Sequence, residues 1–194
     1  MNRNFWDFYH QGHHFRDEIS IVYGEMQRLL RQAYGEDFAQ LFTWDHSGSN
    51  VGYLSNMLVV YIWTIFEELM RNAFVTVYGD RALKEDDIRK NNSSWGKMRK
   101  WLNAKGIFTD NLKRFEPLIG ELNARRNCLV HNRGIVDKQY INQVSKYGGA
   151  PAFKLGEHIW TSWDYHQQLE HQLILFQMHL STRVEIHLRD CPGQ

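Results

Sequence analysis

The feature that most constrains the fold is a run of apolar residues that recur every three or four positions between residues 53 and 77. This spacing places them on one broad face of a helix. The face comprises Tyr53, Leu54, Met57, Leu58, Tyr61, Ile62, Ile65, Phe66, Leu69, Met70, Ala73, Phe74 and Val77. Gly79 follows, and glycine commonly ends a helix. We expect this helix to lie at the centre of the core, because a face this wide must be covered by neighbouring elements.

The same helix is not expected to cross a membrane. Its most apolar stretch, Met57 to Phe66, includes Thr64 and is followed at once by Glu67 and Glu68. A spanning helix needs about 20 predominantly apolar residues. The sequence therefore predicts a core helix and no membrane partner.

Most of the remaining chain shows helical spacing interrupted by polar, glycine-bearing segments. Further helices are predicted from Ile19 to Gly35, from Ser93 or Ser94 to Gly106, from Thr109 to about Gly134, and from Thr161 or Ser162 onward. One short turn is predicted at 37–42. Ser49 or Asn50 is predicted to cap the central helix. Pro117 either kinks the third of these or opens a new helix. Residues 135–160 contain Gly148-Gly149 and Pro151, which predicts a loop with a short hairpin near 153–160. The result is one all-α domain, 1–194, with four to six helices.

Composition supports a folded chain in a reducing compartment. Hydrophobic residues make up 43% and charged residues 23% of the sequence, which is typical of globular proteins. Two cysteines, Cys128 and Cys191, are too few for a disulfide framework. The first ten residues lack the basic and then apolar arrangement of a signal peptide. We therefore expect a cytoplasmic location.

Charge is concentrated in the middle of the chain. Residues 81–133 hold 13 Lys and Arg against 6 Asp and Glu, although the whole chain has a net charge of only +1. The cations include Arg89, Lys90, Lys97, Arg99, Lys100 and Lys105, interleaved with Trp95 and Trp101. This pattern fits either a phosphate-binding surface or the solvated face of a helix, and charge alone favours the second.

Motifs of the common enzyme classes are absent from the sequence. It has no glycine-rich phosphate loop, no nucleophile elbow, no paired Cys-x-x-Cys and no His-Glu-x-x-His. Four histidines fall in the last helix, but none is three or four residues from another, so neighbouring histidines do not share a face for metal binding. The four are His166, His171, His179 and His187. We expect neither a metal nor a cofactor.

The segment 121–134, ELNARRNCLVHNRG, places ionisable groups near the end of a helix. Asn127 and His131 are four apart and share a face, so the amide can orient the imidazole. Arg126 lies on another face, but its long side chain can reach the same cleft. An imidazole moves protons near neutral pH, and a guanidinium binds phosphate. Together these groups suit phosphodiester cleavage in RNA, in which a base activates the 2′-hydroxyl and an acid protonates the leaving oxygen.

One histidine in the motif is a small supply for a reaction that needs both an acid and a base. Two copies of the motif brought together across a twofold axis would provide both, with two arginines in the same cleft. If the motif is catalytic, the sequence therefore predicts a homodimer.

Near the end of a helix in an all-helical chain, the sequence has Arg126-Asn127, three further residues and then His131. This pattern resembles the Arg-x4-6-His signature of the HEPN superfamily. The resemblance covers roughly residues 50–190 and implies a HEPN-like helical bundle. It also implies a metal-independent ribonuclease of a toxin, antiphage or RNA-processing system, with cyclic-phosphate products and a possible antitoxin or regulatory protein as partner. By the same resemblance Glu67 holds the Arg126 guanidinium, with Glu68 an equal candidate.

Three points stay open at this level. The motif can instead be structural, in a non-catalytic helical module that binds nucleic acid or a protein. Arg125 is either an auxiliary phosphate contact or a solvent-facing side chain. The Cys128 thiol invites assignment as a nucleophile, but a small residue facing the core fits its position better.

Overall fold

A computed structural model describes residues 3–42, 50–79 and 94–190. It contains seven α-helices and one short 3-10 helix in these ranges. The helices are α1 (Arg3–Tyr34), the 3-10 helix (Glu36–Leu41), α2 (Asn50–Tyr78), α3 (Ser94–Ala104), α4 (Asp110–Lys113), α5 (Glu116–His131), α6 (Lys138–Lys146) and α7 (Trp163–Asp190). In the described part of the chain, β pairing is limited to one isolated bridge between Ile135 and His158. The all-α class is thus confirmed, with more helices than the four to six predicted.

Several predicted helix ends are confirmed. Gly79, Gly106 and Gly134 each follow a helix and have φ angles of 77°, 69° and 77°, the left-handed region that glycine adopts without strain. Pro117 is the second residue of α5 and so opens a helix, which was one of the two alternatives. Ser162 accepts a hydrogen bond from the backbone N–H of Tyr165 at 3.1 Å and caps α7.

Two predicted boundaries are wrong. α1 begins sixteen residues before Ile19, at Arg3. Within 135–160 a helix, α6, forms where a loop was expected, and the predicted hairpin is reduced to the single bridge described above. Asp137 explains α6, because its carboxylate accepts a hydrogen bond from the N–H of Tyr140 at 2.8 Å and caps the helix. Ser49, the segment 80–93 with Arg89 and Lys90, and Cys191 lie outside the described residues.

The chain divides into two compact units. The first consists of Met1–Glu18, Ile65–Arg114 and Leu173–Gln194, and the second of Ile19–Thr64 and Phe115–Gln172. α1, α2 and α7 each contribute residues to both units, because the boundaries between the units fall within these helices. The expectation of one domain over 1–194 stays a prediction. None of the described helices is long and apolar enough to span a membrane.

Aromatic side chains form the centre of the first unit. The ring of Phe66 lies 5.4 Å from that of Trp95 and 5.5 Å from that of Phe176. Trp95 is almost fully buried. The ring of Trp101 lies 4.7 Å from that of Phe74. The two tryptophans of the basic segment are therefore packed against other rings and do not form an exposed stacking surface.

The second unit has its own core beneath the motif. Ala124 and Cys128, on the inner face of α5, pack against residues of α6 and of the segment that follows it. The cluster comprises Ala124, Cys128, Val136, Tyr140, Val144, Phe153 and Ile159. Backbone hydrogen bonds from Ile159 to Gly134 and from Val136 to Glu157 tie that segment to the end of α5. This core fixes the last two turns of α5, which carry the candidate site.

Candidate functional site

The last two turns of α5 bring Arg126, Asn127 and His131 together. Nη1 of Arg126 lies 3.0 Å from Oδ1 of Asn127 and 3.3 Å from Nε2 of His131. The long arginine side chain thus reaches across the helix surface, as expected for two residues that do not share a face. One guanidinium nitrogen joins the three side chains into a single cluster.

Asn127 plays a different part from the one predicted. Its amide nitrogen donates to Oε1 of Gln143 on α6 at 3.3 Å, while its oxygen accepts from Arg126. The contact to the imidazole comes from Arg126. Asn127 therefore positions the guanidinium, and α6 positions Asn127. Sequence reasoning missed Gln143, because it assigned residues 135–160 to a loop.

The cluster is open to solvent on the imidazole side. His131 is exposed, and Arg126 and Asn127 are half-buried. His131 lies in the last turn of α5, where the helix dipole favours a cation. A guanidinium can only donate, so Nε2 of His131 is the acceptor atom in this contact. The arrangement offers an anion-binding group and a proton acceptor within one hydrogen-bond length of each other.

Arg125 is a core residue, which overturns both predicted alternatives for it. It is only 4% exposed. Nη2 pairs with the carboxylate of Glu121 at 2.7 Å, and Nη1 donates to the carbonyl oxygen of Trp160 at 2.9 Å. The guanidinium carbon lies 4.0 Å from the centre of the Tyr165 ring. With its donors engaged inside the protein, Arg125 is not available to phosphate and does not face solvent.

The surroundings of Arg125 shift several pKa values. Burial lowers the pKa of the guanidinium, but Tyr165 and Glu121 outweigh burial, so the net shift is upward. Burial raises the pKa of the Tyr140 hydroxyl, which also donates to Glu121 at 3.3 Å. Burial likewise raises the pKa of Tyr165 well above its ordinary value. These groups therefore keep fixed protonation states near neutral pH and act as a structural support under α5.

His166 is a buried hydrogen-bonding residue and not a metal ligand. Its Nε2 lies 2.7 Å from the hydroxyl oxygen of Ser55, and its Nδ1 lies 3.4 Å from the hydroxyl of Tyr23. Burial, reinforced by the positive charge of Arg125, lowers the pKa of this imidazole to about 3. In the described ranges no group of three or more His, Cys, Asp or Glu side chains is arranged to hold a metal ion.

The remaining predicted residues have the following positions. Cys128 is buried in the core cluster of the second unit, which confirms its placement on the core side, and burial raises the pKa of its thiol. Glu68 is exposed and pairs with Arg71 at 3.3 Å, so it is engaged elsewhere. Glu67 is half-buried on the part of α2 that belongs to the first unit, whereas Arg126 belongs to the second. The pairing of Glu67 with Arg126 stays a prediction.

Cations of α3 and of the residue that follows it support the interpretation of a solvated helix face. Arg99 lies over the ring of Phe108, with its guanidinium carbon 5.8 Å from the ring centre. The Lys105 ammonium lies 5.2 Å from the centre of the Tyr78 ring. These side chains cover aromatic residues of their own unit.

An open groove lies beside the end of α5, and sequence reasoning missed it. Its volume is about 870 Å³. One wall is the first half of α2, including Tyr53, Met57 and Tyr61, and the other includes Leu129 and Arg133. Tyr53 is 63% and Met57 68% exposed, so this part of the apolar face of α2 is not in the core as predicted.

Comparisons with known proteins found no match. No protein-family model fits the sequence, and neither a curated protein nor a solved structure is detectably similar to it. The resemblance to HEPN proteins therefore depends on the motif residues and on the helical class alone.

Proposed function

We propose that this protein is a metal-independent endoribonuclease of HEPN type. The observation that carries the proposal is the 3.3 Å contact between Arg126 and His131 at the exposed end of α5. At this distance the pair offers a phosphate-binding cation and a proton acceptor on an accessible surface. Asn127, which is itself held by Gln143, positions the guanidinium, and the guanidinium contacts the imidazole, so the pair needs little rearrangement to act.

The reaction that suits these groups is internal transesterification of RNA. The imidazole accepts the proton of the 2′-hydroxyl as its oxygen attacks the adjacent phosphorus. The guanidinium stabilises the negative charge that develops on the phosphate. A protonated group then gives its proton to the leaving 5′-oxygen. The products are a 2′,3′-cyclic phosphate and a 5′-hydroxyl, and no metal is needed for any step.

The acid and the base come from two copies of the chain in this proposal. Each motif has one imidazole, so a twofold pair of chains supplies a second His131 and a second Arg126 to one cleft. Activity then depends on dimerisation. We expect specific activity to fall on dilution, in parallel with the loss of dimer measured by light scattering.

The central experiment is cleavage of a mixed single-stranded RNA in the presence of EDTA. We expect the wild-type protein to cleave and His131→Ala to lose at least 100-fold in rate, the usual contribution of general acid-base catalysis. His171→Ala is the matched control, because His171 is another exposed histidine of the second unit. An all-DNA strand of the same sequence should stay intact, because it lacks the attacking hydroxyl.

The opposite outcome would favour the other function. If neither protein cleaves and both keep their helicity and RNA affinity, the motif is structural and the chain is a non-catalytic module that binds nucleic acid or a protein. If His131→Ala and wild type cleave equally, the assignment of His131 is wrong.

A role in toxin or antiphage defence is proposed from the resemblance. It predicts that induced expression of the wild-type chain arrests bacterial growth and that expression of His131→Ala does not. Release of the arrest by a co-expressed neighbouring gene product would identify an antitoxin or regulatory partner. Growth arrest by both proteins would contradict a role for RNA cleavage.

A further inference from the structure

The groove beside α5 has the size of a site for a small ligand. Its volume of about 870 Å³ lies within the range of about 300–1,000 Å³ typical of such sites. All the residues that line it belong to the second unit. They are Tyr53, Asn56, Met57, Val60, Tyr61, Thr64, Leu129, Arg133, Gly134, His158 and Ile159.

Its α2 wall presents flat and polarisable side chains to solvent. Tyr53, Met57 and Tyr61 are four residues apart in turn and therefore form a stripe along the helix. All three are exposed. Aromatic side chains in such a position are the usual platform for unpaired bases, since every base has a face that can stack.

The opposite wall carries a cation in an unfavourable backbone conformation. Arg133 has a φ angle of 53° and is the one residue other than glycine with positive φ among the described residues. Such strain is often found at functional positions. Arg126 and Leu129 are three residues apart on α5 and share a face of that helix. Because Leu129 lines the groove, the groove lies on the side of α5 that carries the arginine of the candidate site.

Charge and shape favour a nucleic acid over a second copy of the chain. The lining contains Arg133 and His158 and no carboxylate among its described residues. A strand with phosphates outside and bases inside fits both the cation at the rim and the aromatic wall.

We propose that this groove binds unpaired bases of single-stranded RNA, next to the phosphate that Arg126 contacts. This inference depends on the proposed function for its choice of RNA. Tyr53 and Tyr61 stack on bases, and Arg133 contacts a flanking phosphate. The site therefore selects single strands and excludes duplex RNA, whose bases are already stacked.

The test measures binding apart from cleavage, in the full chain carrying His131→Ala. The probes are fluorescein-labelled ten-nucleotide oligo(A) and oligo(U) RNAs, with a ten-base-pair RNA duplex for comparison, read by fluorescence anisotropy. We expect Tyr53→Ala to weaken binding of at least one single strand by about 5-fold or more. Tyr34→Ala is the control, because Tyr34 is an equally exposed tyrosine at the end of α1.

Arg133→Gly gives a second readout that a merely structural role would not produce. Glycine adopts positive φ without strain, so this variant should unfold at a higher urea concentration than the parent. It should also bind RNA more weakly, with a salt dependence reduced by about one phosphate contact. Unchanged RNA affinity in both Tyr53→Ala and Arg133→Gly would overturn the proposal.

Three other results are informative: the first two would overturn the proposal, and the third would separate it from the proposed function. If Tyr53→Ala lowers the dimer fraction in sedimentation and leaves RNA affinity unchanged, the groove is a contact between copies. If the parent prefers duplex RNA or binds no RNA, the groove is not a site for unpaired bases. If wild type fails to cleave but Tyr53→Ala and Arg133→Gly still lose RNA binding, the proposed nuclease activity fails and the groove assignment stands.

Discussion

The buried guanidinium of Arg125 allows a quantitative test of how the motif helix is supported. Arg125→Met keeps a long apolar side chain but removes the charge. It breaks the 2.7 Å ion pair with Glu121 and the 2.9 Å hydrogen bond to Trp160. The Glu121 side chain is only 13% exposed and would be left without this cation. Breaking a buried pair in this way costs about 3–5 kcal/mol.

Individual contacts lead to a similar figure. Hydrogen bonds to charged groups contribute about 1.5–3 kcal/mol each, so the bonds to Glu121 and Trp160 together account for about 3–6 kcal/mol. We therefore expect a loss of about 4 kcal/mol in the free energy of unfolding. For a chain of 150–250 residues this corresponds to a decrease of about 8–16 °C in Tm.

The assay is urea unfolding followed by circular dichroism, with Arg126→Met as the control. Arg126 is half-buried and its contacts are to Asn127 and His131 at the surface, so its replacement should change stability by less than about 1 kcal/mol. The double variant Arg125→Met with Glu121→Gln should be more stable than Arg125→Met alone. A loss below 1 kcal/mol for Arg125→Met would refute the buried network.

Two further predictions concern stability. In the folded chain His166 has a pKa of about 3, below the unfolded value of about 6.5. As the pH drops between these two values, the unfolded chain takes up a proton that the folded chain does not, so the free energy of unfolding falls. Between pH 7 and pH 5 the loss is about 2 kcal/mol, and His166→Gln should show a shallower dependence in urea titrations; equal slopes would contradict this. In Gly120→Ala the new Cβ would lie 2.6 Å from the Tyr147 ring, which should cost about 1–3 kcal/mol by thermal unfolding. The control Gly24→Ala has no atom within 4 Å and should gain about 0.5–1 kcal/mol; similar effects of the two changes would argue against the packing of α5 on Tyr147.

Helical spacing was enough to predict α2, because its apolar positions continue without a break over seven turns. The same spacing did not reveal that Tyr53 and Met57 face solvent. A periodic face indicates which residues share a side of the helix, but which part of that side is covered depends on elements elsewhere in the chain. The groove could therefore not be derived from the pattern.

The early start of α1 was missed because Gly12 and several polar residues interrupt its first half. In the structure a Cβ at residue 12 would overlap the side chain of Gln177 on α7. Glycine allows the Gln177 amide to approach the helix closely there and does not end the helix. This close approach depends on a residue far along the chain.

The candidate cluster could be partly predicted. Helical geometry placed Asn127 and His131 on one face and allowed Arg126 to reach them, and the structure brings all three together. The burial of Arg125 could not be predicted, since its partners Trp160 and Tyr165 follow some 35 to 40 residues later. Two adjacent arginines therefore differ completely in environment, although their sequence neighbourhood is the same.

The segment 135–160, which follows the motif, holds the end of α5 in place. α6 supplies Gln143 to Asn127, and the backbone at Gly134 and Val136 is tied to Glu157 and Ile159. A deletion within 135–160 would therefore disturb the geometry of α5, although α5 ends at His131, before the deleted residues. Loss of activity after such a deletion would not show that the deleted residues take part in catalysis. The length of this segment is constrained because α5 depends on its contacts.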